Sequence, residues 1–259
     1  MAFTAFALAA AVLLFAGMLL CFEVGRRIGI RRLARDPEGL ARGSGPVEAA
    51  VFGLLGLLLA FTFSGAADRF EDRRHLIAEE TNDIGTAYLR VDLLPPDAQP
   101  AIRLLFRRYV DLRLEAFRHV ADTSATHATL TASKSLQEQI WTLSVAASRR
   151  PEAPPQAGML LLPALNAMID ITTTRSVAME NHPPRVIYVL LAGLSLVCAL
   201  LVGYVMCATK LRSWFYMLIV AITMSLTLYV ILDLEYPRYG LIRIDAADQV
   251  LADLRRGMD

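Results

Sequence analysis

Asp72, His75 and Glu79 are spaced at three- and four-residue intervals, which bring side chains onto one face of an α-helix. Two carboxylates and an imidazole placed this way offer oxygen and nitrogen donors to a divalent cation. Arg69, Arg73 and Arg74 lie within helical reach of the same carboxylates and compete for them, so a solvated charged face explains the pattern equally well. We assign no resident metal and no other cofactor; these three residues are the ones that would hold a cation. A second polar set, Asn166, Asp170 and Thr173 followed by Arg175, reads either as a structural hydrogen-bond network or as an ion-selecting vestibule near a membrane. Asp68, Asp233 and Glu235 close apolar segments and, repeated in an oligomer, would form a carboxylate ring that attracts cations, screened by Arg69 and Arg238. The remaining histidines, His119, His127 and His182, are scattered. No nucleophile elbow, phosphate-binding glycine loop or zinc-hydrolase motif appears, and the chain is not read as an enzyme.

The elements that position these residues are dominated by apolar sequence. Of 259 residues 55% are hydrophobic and 20% charged, and the net charge of +1 gives no basis for a nucleic-acid partner. Four stretches are long and apolar enough to cross a hydrocarbon core: Ala2 to Phe22, Val47 to Ala67, Val186 to Cys207 and Trp214 to Leu232. The first lacks a basic residue ahead of its apolar run and a small-residue cleavage site after it, so it is read as retained. Cys21, Cys198 and Cys207 fall in or at the ends of spans without zinc spacing and read as small apolar fillers.

The loop after the first span carries Arg26, Arg27, Arg31, Arg32, Arg35 and Arg42 against Asp36 and Glu38, and the loop after the third carries Lys210 and Arg212. The positive-inside rule turns both loops to the cytoplasm of a bacterial plasma membrane, with the N-terminus and the 68–185 segment on the other side. The reading divides the chain into 1–67 with two spans, 68–185 as a helical extramembrane domain, 186–232 with two spans, and a 233–259 tail. The fold class is all-α.

Residues 47–94 read as one unbroken helix that leaves the membrane and continues as a charged amphipathic helix until Pro95 and Pro96 stop it. A second extramembrane helix holds Ile102, Leu105, Phe106, Tyr109, Leu112 and Phe117 at helical spacing. A polar stretch from Asp122 to Thr131 is expected to separate it from a third, with Leu136, Ile140, Trp141 and Leu143. A fourth runs from about Met159 towards Asn181 after the proline-rich 149–158 break.

Within the second span, Ala49, Gly53, Gly56, Ala60, Ser64 and Ala67 form a small-residue stripe flanked by Phe52 and Phe63. Such a stripe either packs helices closely or lines a pore whose narrow part gates by dewetting. Further along, Phe70, Ile77, Ile84, Tyr88 and Val91 form an apolar seam that needs a partner helix, from the same domain or from another subunit.

The stretches GLLGLLLAFTFSGAADRFEDRR (Gly53 to Arg74), EETNDIGTAYLRVDLLP (Glu79 to Pro95), LNAMIDITTTR (Leu165 to Arg175) and LDLEYPRYGLIRID (Leu232 to Asp245) resemble the bacterial bestrophin-like family of the DUF4239 type. The resemblance covers nearly the whole chain. It implies an oligomer around a central pore lined by the second span, conducting ions, with anions as the bestrophin pattern. Bestrophins place the extramembrane domain and both termini in the cytoplasm, opposite to the orientation that the charge count favours. Two functions follow as expectations: a homo-oligomeric ion channel in membrane lipid, or a non-conducting membrane sensor or scaffold that binds a partner through its helical domain. On the charge-based orientation, S124C is expected to react with a membrane-impermeant maleimide in intact cells; protection would place the domain in the cytoplasm.

Overall fold

The computed structural model describes residues 2–35, 45–118, 123–208 and 214–259. Asp36, Glu38 and Arg42 of the first basic loop, Lys210 and Arg212 of the second, and His119 and Asp122 lie outside the described residues, as do the side chains of Phe117, Ser124 and His127. Helices α1 (Ala2–Leu33), α2 (Gly45–Arg90), α3 (Gln99–Arg118), α4 (Thr123–Ser148), α5 (Gln156–Glu180), α6 (Arg185–Val205), α7 (Trp214–Glu235) and α8 (Asp245–Arg256) follow one another, with no strand among the described residues. Four helical stretches are long and apolar enough to cross a membrane, and α1, α2, α6 and α7 supply them. At about 1.5 Å per residue, the 46 residues of α2 exceed any bilayer, so its charged C-terminal half has to emerge.

Packing divides the chain into two compact units. One holds residues 1–70 and 182–242, the other 71–181 and 243–259, so α2 contributes to both.

In the first unit, α1 packs on α6 and α7 around Leu14, Met18, Phe22, Leu191, Cys198, Met217 and Ala221. The α1–α6 crossing brings backbone onto backbone. A Cβ on Gly25 would strike the carbonyl of Leu200, and one on Gly203 the carbonyl of Phe22. At Gly29 it would strike the Tyr204 carbonyl and stand 2.7 Å from Cys207 Sγ. Glycines four apart on α1 thus perform the close packing for which small residues are used in membranes. That signal, Gly25 and Gly29 flanking Arg26, Arg27 and Ile28, was present in the sequence but hidden by the arginines. All three cysteines are free, with Cys198 buried in the core.

In the second unit, α3, α4, α5, α8 and the end of α2 enclose Ile84, Tyr88, Val91, Ile102, Phe106, Tyr109, Ile140, Leu161, Leu165, Met168 and Leu251. Two expectations are corrected here. The Asp122 to Thr131 stretch is not a separator, because α4 begins at Thr123. Ser133, Gln137, Ile140, Ser144 and Ala147 form a buried stripe at helical spacing, and tertiary packing of this face outweighs the weak helix propensity of the Ser and Thr residues before it. The 233–259 segment is likewise more than a tail. It contains α8, with Asp245 and Asp248 in its first turn and Arg255 and Arg256 in its last, the arrangement the helix dipole favours. Its end is fastened by the Met258 carbonyl, which accepts from Tyr88 Oη at 3.0 Å and Arg107 Nε at 2.8 Å.

The crossing generates a contrast between glycines. Gly203→Val is expected to destabilise the detergent-solubilised protein by about 1–3 kcal/mol or more. Gly53→Ala, with nothing within 4 Å of its Cβ, should stay within about 1 kcal/mol of the parent. Thermal unfolding of the two variants side by side measures the difference; equal stability would contradict the close crossing.

Candidate functional site

The second span is the least packed of the four. Only 11% of its apolar window is buried inside the chain, against 28% for α1 and 33% for α7. Leu55 and Ala66 face the core of their unit, while Gly53, Gly56, Ala60, Phe63 and Ser64 are exposed and Phe52 is half-buried. A Cβ built on Gly53 or Gly56 meets nothing within 4 Å. The small-residue stripe therefore has no partner among the described residues.

Beyond the span, α2 separates its charges sharply by face. Asp68, Asp72, His75 and Glu79 are exposed, and no cluster of three or more His, Cys, Asp or Glu side chains that could hold a metal forms among the described residues. Burial, followed by the nearby Glu79 charge, raises the Asp83 carboxyl above its ordinary range. The opposite face is the apolar seam. Ile84, Tyr88 and Val91 lie in the core of the second unit, Ile77 is 1% exposed, and Phe70 packs in the first unit against Ala66, Ile231 and Leu234. Of the two partners the seam allowed, its own chain covers Ile77, Ile84, Tyr88 and Val91, and the Tyr88 ring meets Phe106 of α3 edge-on at 5.7 Å between centres.

Within that buried face sits a charge that sequence reasoning passed over. Glu80 is fully buried and accepts from Arg113 Nε at 2.6 Å and Nη2 at 3.2 Å, and from Arg175 Nη1. Both arginines are 5% exposed or less. Burial pulls the Arg113 guanidinium below its ordinary pKa and pushes the neighbouring Tyr109 hydroxyl up, while Gln137 Nε2 donates to Tyr109 Oη at 3.1 Å. A signal for this triad existed: Glu80 between Ile77 and Ile84, Arg113 after Phe106 and Tyr109, and Arg175 after Met168 and Ile171 each place one charge inside an apolar stripe. Arg175 is thus no vestibule residue; it is held in the core by Glu80. Arg73, also buried, donates to the Ala178 and Asn181 carbonyls at 3.0 Å each and caps the C-terminal turn of α5.

The expected carboxylate ring is replaced by two buried anchors in the first unit. Asp233 accepts from the backbone N–H of Leu241 at 2.9 and 3.0 Å and of Ile242 at 2.7 Å. This fold-back requires Gly240, since a Cβ there would collide with the Asp233 carboxylate. Glu235, 0% exposed, is bound by Arg69, whose Nε lies 2.9 and 3.2 Å from its two oxygens, and His182 Nδ1 stands 3.4 Å away, its ring stacked on Tyr236. Asp68 stays exposed. Of the polar set on α5, Asn166 and Asp170 are exposed and joined at 3.0 Å; Asn166 and Thr173 line a cleft of about 460 Å³ with Lys134, Glu138 and Trp141.

These features define a class: an all-helical membrane protein with four apolar spans, the second of which continues into a helical domain pinned by buried ion pairs. Residues 4–248 match the sequence model of the bestrophin-like domain, and the chain belongs to that family. Its structure is similar to crystal structures of a bacterial bestrophin homolog from Klebsiella pneumoniae. A tryptophan-to-alanine variant has a TM-score of 0.68 at 13% identity over 97% of this chain and 96% of that one. A tyrosine-to-alanine variant has 0.66 at 13% over 94% and 99%. At that identity the likeness establishes the fold. No curated protein matches the chain.

The triad makes a sharp expectation. Glu80→Gln leaves two buried guanidiniums without their anion and should cost about 3–5 kcal/mol. Replacing Glu80, Arg113 and Arg175 together by methionine removes the unpaired charge and should be far milder. Guanidinium unfolding of the full chain in detergent, followed through Trp141 fluorescence in a W214F background, compares them; a single variant no worse than the triple would show that the ion pairs do not hold the domain.

Proposed function

We propose that the chain is one subunit of a homo-oligomeric ion channel in the bacterial plasma membrane, with α2 lining the pore through Gly53, Gly56, Ala60 and Ser64 between Phe52 and Phe63. The observation that carries this reading is the unpacked small-residue face of α2. A bare glycine face gains little from lipid contact, and in membranes such faces meet protein or line a cavity. Backbone surface flanked by phenylalanines suits a hydrophobic constriction that gates by dewetting. The family supports the same reading, with anions as the conducted species and several subunits around a common axis.

The competing reading, a non-conducting sensor or scaffold that binds a partner through its helical domain, rests on the apolar seam that includes Phe70, Ile77 and Ile84. Ile77 and Ile84 are 1% and 0% exposed, so no groove is open at them.

Mass photometry of the protein in nanodiscs is expected to give a multiple of the 28.5 kDa chain. Planar bilayers containing it should pass a current that Phe63→Ala increases and Ser64→Leu suppresses. A chloride gradient should set the sign of the reversal potential to that of an anion pathway. A monodisperse monomer, or silent bilayers from well-folded oligomer, would overturn the proposal.

A further inference from the structure

The C-terminal end of α1 carries a cationic cleft that the channel reading does not use. Arg31, Arg32 and Arg35 are exposed and, with Ile28, line a cleft of about 400 Å³. One turn earlier Arg26 and Arg27 both hold Glu23, at 3.1 and 2.8 Å. Arg31, Arg32 and Arg35 have no carboxylate partner among the described residues.

Two sets of contacts within the first unit fix the level of this cleft. Gly29 lies against Tyr204 and Cys207, which puts the end of α1 beside the end of α6. Thr4 Oγ1 donates to the Tyr239 carbonyl at 3.3 Å and the Phe3 ring centre is 4.4 Å from that of Tyr236, so α1 and α7 run antiparallel and α7 begins at the arginine end. It begins with Trp214, Phe215 and Tyr216, which are 46%, 69% and 65% exposed. Consecutive exposed aromatics at the start of an apolar span mark the boundary between hydrocarbon and headgroups. The arginines therefore stand beyond that boundary, on its headgroup side. Leading to them from the apolar part of α1 is an exposed ridge at four-residue spacing, Leu20, Val24 and Ile28.

We propose that Arg31, Arg32 and Arg35 bind the phosphodiester headgroup of an anionic phospholipid, with one acyl chain lying along Leu20, Val24 and Ile28. Guanidinium groups bind phosphate oxygens through paired N–H donors, and clustered basic residues at a span end attract anionic lipid. A soluble phosphate shares the headgroup chemistry; the apolar ridge is what favours the lipid. This site is independent of conduction and stands or falls separately from it.

Native mass spectrometry of the delipidated full chain in detergent tests it, titrated in turn with phosphatidylglycerol, phosphatidylcholine and inorganic phosphate. Phosphatidylglycerol is expected to bind on the order of a hundredfold more tightly than phosphatidylcholine, from about three basic contacts. The R31Q/R32Q/R35Q variant should bring the two lipids level, while R108Q/R149Q/R256Q, with equal charge loss elsewhere, should leave the preference intact. The thermal transition of each variant in detergent verifies that it is folded. Equal lipid affinities in the parent, a preference that survives R31Q/R32Q/R35Q, or inorganic phosphate binding as tightly as the lipid would each overturn the assignment.

Discussion

A carboxylate cut off from water has to find its counter-charge inside the protein, and Glu80 does so by holding one arginine from α3 and one from α5. Removing Glu80 takes the shared anion from both buried guanidiniums, which is costlier than the net worth of the pairing itself. The cluster therefore selects one arrangement of α2, α3 and α5 over others that their apolar stripes alone would tolerate. In the first unit Glu235 plays the same part with Arg69 and His182, and Asp233 ties the chain back to Leu241 and Ile242.

These anchors join in pairs the four separated stretches that carry the family resemblance. Arg69, in the stretch from Gly53 to Arg74, binds Glu235, in the stretch from Leu232 to Asp245. Glu80, in the stretch from Glu79 to Pro95, binds Arg175, which ends the stretch from Leu165. Each pair of distant segments is one ionic contact in the folded chain. Gly240 belongs to the same logic, since only a residue without a side chain leaves room for the Asp233 carboxylate.

The second helix unites two environments that demand opposite behaviour. Its C-terminal half is locked by buried charge and apolar contacts, while its N-terminal half leaves a small-residue face open. The glycines that do pack, Gly25, Gly29 and Gly203, keep α1 and α6 together and free α2 from that duty.

Span number, the continuity of α2 and the all-helical class were legible in the residues, because apolar length and helical period are local properties that bilayer thickness and backbone geometry convert directly into structure. The helix at the C-terminus was read from the sequence only as a tail, although its end charges and Val250, Leu251 and Leu254 carry a helical signal. What the tertiary structure alone decided is which small residues pack and which stay open, and whether a charge faces water or the core. Gly53 and Gly25 look alike in a sequence, as do Glu79 and Glu80, since adjacent residues differ by about 100° around a helix. Only the positions of the neighbouring helices turn that difference into exposure for one and burial for the other.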